Sequence, residues 1–289
     1  MDYVIMTDSD SELDYAYAAG HGVLMLLMPY THMGQEYAYR PSYDFDTEKF
    51  YGELRRGEVP TTACPNPHDF LTLWEPHLKQ GKDIAYLALS SALSNTYENA
   101  LMAREEALES YPGRTIRVVD TLRISMAMGL LVMIAASMRE QGKTLAEVCD
   151  WVEKNRQRAR AWFIVDDLHY LKRGGRLSGS AAFFGTILDV KPVLTIDDAG
   201  RLVPVEKIKG RKKAIRYMLE QMDKEAAGPG EGFVAICQAD CYGDAKSVEE
   251  KIGKRGYADT VVNPVGPVVG SHVGPGTLGI CYMKKGDSV

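Results

Sequence analysis

The first half of the chain alternates apolar runs with segments of helical character, and this alternation constrains the fold more than any other feature. Residues 23–28 are apolar at every position and lie between Gly22 and Pro29. Such a run is typical of a strand covered on both faces of a parallel sheet. Similar runs occur at 3–7, 84–89 and 116–119, and helices are predicted at 12–20, 47–56, 69–80 and 98–111. The series predicts a parallel sheet with helices on both faces.

The pattern changes after about residue 154, where several strands follow one another with turns between them. The predicted strands are 162–165, 190–196, 203–209, 233–238, 260–263 and 278–283, with a helix at 212–225. We therefore expect an α/β protein of two domains: an α/β/α parallel-sheet domain over residues 1–155, followed by a two-layer α/β mixed-sheet domain over residues 156–289. Because no Ser- or Gly-rich linker separates them, a ligand cleft is expected between the domains.

Composition and charge narrow the classes of partner. The chain has 289 residues and a formal net charge of -5, which argues against nucleic acid as a partner. The longest apolar stretch, 126–138, is too short to span a bilayer. The start of the chain has no basic segment and no cleavage site, so a cytoplasmic protein is expected. The five cysteines are irregularly spaced and predict no disulfide framework.

Two segments match known functional motifs, but the surrounding sequence lacks the other residues that those sites require. Residues 274–279 match the pattern G-x-G-x-x-G, yet they leave no room for the helix and the acidic residue of a dinucleotide site. Asp8-Ser9-Asp10 follows a strand, like the nucleophile loop of an aspartyl phosphatase, but no lysine or acidic metal cluster can be assigned to it. A cap of the first helix is the favoured interpretation of Asp8. Cys237 and Cys241 have no histidine near them, so no metal site is predicted.

Two segments far apart in the chain point to an anion-binding site. Residues 90–97 carry serine and threonine hydroxyls between a predicted strand and a predicted helix, and the free N–H groups at such a helix N-terminus attract an anion. Residues 270–276 form a predicted loop, rich in glycine and proline, around His272, and Thr61-Thr62 adds a second hydroxyl loop. Together they predict a grip for a carboxylate or a phosphate that uses no metal and no acidic residue.

Seven short motifs fall in the order seen in one known family. They are Thr7-Asp8-Ser9, Thr61-Thr62-x-x-Pro65, Ser90-Ser91-x-Leu93-Ser94-x-Thr96-Tyr97, Val119-Asp120-Thr121, Leu168-x-x-Leu171-Lys172-x-Gly174-Gly175-Arg176, Lys191-Pro192-Val193-Leu194 and Gly270-x-His272-x-Gly274-Pro275-Gly276. Each is weak alone, but the ordered set covers essentially the full length. On these motifs the chain resembles the DegV family of fatty-acid-binding proteins, whose parallel-sheet domain and two-layer mixed-sheet domain agree with the division expected above.

The resemblance implies a long-chain fatty acid as the ligand and a protein that is not itself an enzyme. The acid's carboxylate would be held by hydroxyls and backbone amides, and no cofactor would be needed. The implied ligand-binding residues are Thr61, Thr62, Ser94, Asn95, Thr96, His272 and Gly274. Asn95 stands where many relatives have glycine, and its side chain either adds a hydrogen bond or crowds the head group. The preference for acyl chains is expected to depend on Phe183, Phe184 and Met28.

The resemblance also implies a protein partner. Similar bacterial proteins present the bound acid to an ATP-dependent kinase subunit that makes acyl phosphate, and transient membrane contact is compatible with that role. Arg173 and Arg176 lie in a basic loop that resembles one tied to kinase docking. Two enzymatic alternatives stay open: an esterase or acyl-transfer enzyme that uses Ser94 and His272, and a phosphatase that uses Asp8.

Overall fold

The computed structural model describes residues 2–41, 45–178, 189–230 and 232–286. The strands in these ranges are β1 Tyr3–Asp8, β2 Val23–Leu26, β3 Met28–His32, β4 Gln35–Tyr39, β5 Thr61–Thr62, β6 Asp83–Ala88, β7 Ile116–Asp120, β8 Ala159–Ile164, β9 Val190–Ile196, β10 Leu202–Lys209, β11 Val234–Gln238, β12 Thr260–Pro264 and β13 Leu278–Met283. The α-helices are α1 Tyr15–Gly20, α2 Thr47–Arg55, α3 Pro67–Leu78, α4 Thr96–Ser110, α5 Ser125–Glu140, α6 Leu145–Asn155, α7 His169–Arg173, α8 Arg211–Glu225, α9 Tyr242–Gly253 and α10 Pro267–Val273.

A parallel sheet forms the centre of the first domain. Its strand order is β2-β1-β6-β7, and every neighbouring pair is parallel. Successive side chains of a strand point to opposite faces, so Val4 and Met6 pack with helices α3 and α4, whereas Ile5 faces the other side. The parallel-sheet domain expected from the alternating pattern is confirmed.

The second domain is built on a six-stranded mixed sheet of order β10-β9-β8-β13-β11-β12. The pair β11–β12 is parallel and the other pairs are antiparallel. Helices α8 and α9 cover one face of this sheet, and helix α5 of the first domain packs against the other. The mixed sheet is confirmed. The division at residue 155 stays a prediction; it falls between α6 and a 3-10 helix at Arg156–Arg158.

One apolar core runs through both domains. It contains Ile5 and Leu87 from the parallel sheet, much of α5, and Phe163 and Cys281 from the inner face of the mixed sheet. Helix α5 includes the apolar stretch 126–138, and ten of its residues are buried. The stretch is therefore a core helix between two sheets, and within the described residues no helix has the length and apolarity to cross a bilayer.

Two local expectations for the first domain differ from the structure. The run 23–28 supplies two strands, because the chain leaves the parallel sheet at Leu27 and β3 joins a small antiparallel sheet of order β4-β3-β5. The helix predicted at 12–20 begins only at Tyr15, because Asp14 caps it by accepting the Tyr17 N–H at 2.8 Å. Before it, Ser9–Ser11 forms a 3-10 turn.

The prediction of a loop at 270–276 is wrong for its first four residues, which belong to helix α10. Pro267 occupies the first turn, where its fixed φ and missing N–H are tolerated. Gly270 lies so close to the Tyr51 hydroxyl that a Cβ would overlap it. Gly274, at φ 76°, ends the helix. His272 is therefore held on a short buried helix.

Candidate functional site

A cavity of about 600 Å³ lies where the two domains meet. Strands β1, β6 and β7 end at the same edge of the parallel sheet, and the segments that follow them form one wall of the cavity. The inner face of the mixed sheet forms the opposite wall, and α10 and the β5 segment close the sides. The apolar lining residues are Met28, Leu89, Leu93, Ile124, Ala161, Phe163, Ile196, Leu202, Val265, Val268, Val269 and Val273. Binding at the carboxyl ends of parallel strands is usual for α/β folds.

Hydroxyl groups mark one polar region of this cavity, at the start of helix α4. The Ser94 hydroxyl accepts the Thr96 N–H at 3.3 Å and shares a 2.8 Å hydrogen bond with the Thr96 hydroxyl. Ser94, just before the N-cap residue Asn95, therefore satisfies the first N–H of the helix and also lines the cavity. Asn95 lines it too, and its side chain makes no capping hydrogen bond. A helix N-terminus at this place favours negative charge on a ligand.

Thr62 and His272 form a second polar pair on the cavity wall. Their side chains are joined by a 2.9 Å hydrogen bond between Thr62 Oγ1 and His272 Nε2. Burial, with help from the positive charges of Arg176 and Arg173, lowers the pKa of His272 to about 4. The imidazole is thus neutral near pH 7, and its Nδ1 has no hydrogen-bond partner in the described structure.

The two arginines of the 168–177 stretch are placed differently. Arg176 lines the cavity, and its guanidinium donates to the carbonyls of Leu93 at 3.0 Å and Gly174 at 2.5 Å. Arg173 is exposed and lies over the Tyr170 ring, 5.0 Å from its centroid. The stretch contains the short helix α7, so it is not simply a loop.

Three acidic side chains close to the end of β1 are fully buried, which the sequence did not predict. Asp8 accepts hydrogen bonds from the N–H groups of Asp10 and Leu89 and from the Tyr86 hydroxyl, and burial raises its pKa to about 7. Glu12 accepts the Ser125 hydroxyl at 2.6 Å and the Gly266 N–H at 2.7 Å. Asp8 and Glu12 therefore tie together the strand ends that support the cavity.

Asp10 differs from its neighbours because it lines the cavity. The expectation of a grip without an acidic residue stays a prediction, but this cavity wall does carry one carboxyl group. Burial and the nearby Asp8 raise the pKa of Asp10 well above its usual value, with Arg176 opposing them. The Asp-Ser-Asp spacing was visible in the sequence, but burial of a charged side chain depends on distant elements that pack over it.

The structure brings together five of the residues singled out from the sequence: Thr62, Ser94, Asn95, Arg176 and His272 all line the cavity. Thr61 is exposed, Thr96 is buried behind Ser94, and Gly274 ends helix α10. Met28 lines the cavity, whereas Phe183 and Phe184 lie outside the described residues.

The geometry around Ser94 and His272 bears on the esterase alternative. In the described structure Ser94 bonds to Thr96 and His272 bonds to Thr62, with no hydrogen bond between Ser94 and His272. A nucleophile and its base normally lie within hydrogen-bond reach of each other. The esterase alternative stays a prediction without geometric support.

No cluster of three His, Cys, Asp or Glu residues that could hold a metal occurs in the described ranges.

Comparison with known proteins identifies the family. The model of the DegV family, described as uncharacterised proteins, matches residues 2–285. A DegV domain-containing protein of Clostridium perfringens is 38% identical over 282 residues, 97% of each chain. The DegV-family protein of Thermus thermophilus, solved for its fatty acid binding, is 30% identical, has a TM-score of 0.88, and is matched over 99% of this chain and 100% of that one.

A second solved structure supports the same assignment. DegV of Bacillus subtilis, a fatty acid binding protein, is 31% identical with a TM-score of 0.85, and the match covers 99% of this chain and 100% of that one. The family match, the full-length relatives and the shared fold agree with the seven ordered motifs. The chain therefore belongs to the DegV family.

Proposed function

We propose that the protein binds a long-chain fatty acid in this cavity, with the carboxylate held at the polar region formed by Thr62, Ser94, Asn95 and His272. The observation that carries the proposal is the chemistry of the wall: an apolar cavity of about 600 Å³ meets hydroxyls, a neutral imidazole and a helix N-terminus. Its volume lies within the usual range for small-molecule sites. The fatty acid binding of the solved relatives supports the same ligand class.

The energetics of such a site favour a lipid over a small polar anion. Each methylene moved from water to an apolar wall contributes about 0.8 kcal/mol, so the tail supplies most of the affinity. Neutral donors and a helix N-terminus contact the carboxylate. Arg176 adds positive charge to the same wall, while its guanidinium donates to the carbonyls of Leu93 and Gly174. The head-group contacts then set the orientation of the acid.

A titration series tests this proposal. Isothermal titration with saturated acids of increasing length should show a dissociation constant that falls about fourfold per added methylene until the cavity is full. Hexadecanol serves as the matched ligand without a carboxylate and should bind more weakly than palmitate. Equal binding of the alcohol and the acid would refute the carboxylate grip, and no binding of any acid would refute the ligand class.

We further propose that the protein presents the bound acid to an ATP-dependent kinase subunit and performs no chemistry itself. The exposed guanidinium of Arg173, on helix α7 beside the cavity, is the docking contact in this proposal. Arg173→Ala should leave palmitate affinity unchanged and reduce the acyl phosphate, trapped as the hydroxamate, that a partner kinase forms. Arg216→Ala, at an exposed arginine on α8, is the control. Equal loss of binding and phosphorylation in Arg173→Ala would mean that Arg173 acts on the fold.

A further inference from the structure

Asp10 is an unsatisfied polar group on the wall of the lipid cavity. Its side chain lines the cavity, only 4% of the residue is exposed, and its Oδ1 atom has no hydrogen-bond partner in the described structure. A buried polar atom without a partner is destabilising, because it has lost its hydrogen bonds to water and gained none within the protein. Most such atoms in folded proteins are satisfied, so an exception that faces a ligand cavity calls for a partner carried by the ligand.

The charged neighbours of Asp10 already have other partners. Asp8 and Glu12 are satisfied by backbone and hydroxyl donors. Arg176 acts on Asp10 electrostatically, but its Nε and Nη1 donate to the carbonyls of Leu93 and Gly174. The Ser11 hydroxyl is also buried without a partner in the described structure, but only Asp10 of the two lines the cavity.

The position of Asp10 relates it to the head group of the ligand. Arg176 influences both Asp10 and His272, and it is bonded to Leu93, next to Ser94. Asp10 follows β1 and Ser94 follows β6, the neighbouring strand of the parallel sheet, so both lie at the same edge of that sheet. A ligand group that reaches Asp10 is therefore expected towards the carboxylate end of the acyl chain.

We infer that Asp10 binds a hydroxyl group carried by the ligand near its carboxylate, so that the cavity prefers long-chain hydroxy acids to the unsubstituted acids. This inference rests on the proposed fatty acid function. A hydroxyl can donate to an ionised Asp10 and can donate to or accept from a neutral one. A second carboxylate oxygen, by contrast, would be a favourable partner only for neutral Asp10. The hydroxyl therefore satisfies the orphaned oxygen whichever state Asp10 adopts.

The test compares three ligands on four proteins. Palmitic, 2-hydroxypalmitic and 3-hydroxypalmitic acid are titrated by calorimetry into the wild type, Asp10→Ala, Asp10→Asn and the control Thr144→Ala. Thr144 caps helix α6 and does not line the cavity. One hydroxy acid should bind the wild type about tenfold more tightly than palmitate. Asp10→Ala should abolish that preference without weakening palmitate, Asp10→Asn should keep part of it, and Thr144→Ala should retain it.

Three other outcomes of these titrations would overturn either the inference about Asp10 or the proposed function. If palmitate binds and neither hydroxy acid is preferred by the wild type, the inference fails while the fatty acid function stands. If Asp10→Ala weakens all three acids equally, Asp10 holds the carboxylate or the fold, and the inference is again overturned. If none of the three acids binds the wild type, the proposed function itself fails. Thermal unfolding of each ligand-free variant reports any loss of structure, and Asp10→Asn keeps the test decisive if Asp10→Ala does not fold.

Discussion

The contact between Gly174 and His272 gives a sharp test of the head-group geometry. Gly174 has φ −72° and ψ −9°, a backbone conformation that alanine adopts without strain. A Cβ added there would overlap the Nδ1 atom of His272. Because non-bonded heavy atoms keep about 3.5 Å apart, the imidazole must move by more than about 1 Å. That movement breaks the 2.9 Å hydrogen bond from His272 to Thr62.

The expected effect of Gly174→Ala follows from that lost hydrogen bond. A typical hydrogen bond contributes about 1 kcal/mol, so palmitate should bind about fivefold more weakly. Gly243→Ala is the control, because Gly243 lies in helix α9 with open space around the added methyl. Calorimetric titration of both variants and the wild type measures the difference.

A double-mutant cycle shows whether the methyl acts through His272. In the His272→Ala background the obstructed ring is absent, so Gly174→Ala should have no further effect on affinity. Two losses that add would show that Gly174 acts elsewhere. Wild-type affinity in Gly174→Ala would refute the claim that the Thr62–His272 pair positions the ligand.

Three further predictions concern the same site. Ser94→Ala should weaken palmitate binding, measured by calorimetry, by about 1–3 kcal/mol. The control Thr144→Ala removes a helix cap remote from the cavity and should lower only thermal stability. Equal palmitate affinities in the two variants would show that Ser94 does not hold the carboxylate. Because the pKa of His272 is lowered to about 4 in the folded protein, the unfolded chain binds the extra proton between about pH 6.5 and pH 4. Wild-type stability in urea unfolding should therefore fall relative to His272→Gln as the pH falls through that window, and parallel pH profiles would contradict it. Cys64, half-buried on the cavity wall, should react with a thiol reagent in the empty protein and be protected when palmitate is bound. Buried Cys149, whose pKa is raised to about 12 by burial, should stay unreacted with and without palmitate. If mass spectrometry shows that palmitate leaves the labelling of Cys64 unchanged, the ligand binds elsewhere.

Much of the fold could be predicted from the sequence because its signals are local. The continuous apolar run at 84–89 predicts a buried parallel strand, and β6 is the inner strand between β1 and β7. The hydroxyl segment that follows β6 lies at the carboxyl edge of the sheet because parallel strands end together. Local pattern and topology were sufficient to place Ser94 on a cavity wall.

The parts that the sequence did not predict depend on long-range packing. The run 23–28 gives no sign of its break at Leu27, because its residues are apolar on both sides of the break and the pairing partners, β1 for β2 and β4 for β3, lie outside the run. Helix α10 contains glycine and proline, which favour a loop locally, whereas in the fold its Gly270 packs at close range against the Tyr51 side chain, a contact that the local sequence does not show. The burial of Asp10 depends on elements distant in the sequence, such as α5, which packs against the 3-10 turn Ser9–Ser11, and no local pattern specifies it.

The central claim is that this cavity holds a long-chain acid, and native mass spectrometry of freshly purified protein tests it most directly. The account predicts a one-to-one complex whose bound mass, after organic extraction, is that of a long-chain carboxylic acid. It further predicts that His272→Ala and Ser94→Ala retain less of it. A protein that is purified empty and stays empty after incubation with long-chain acids would contradict the account.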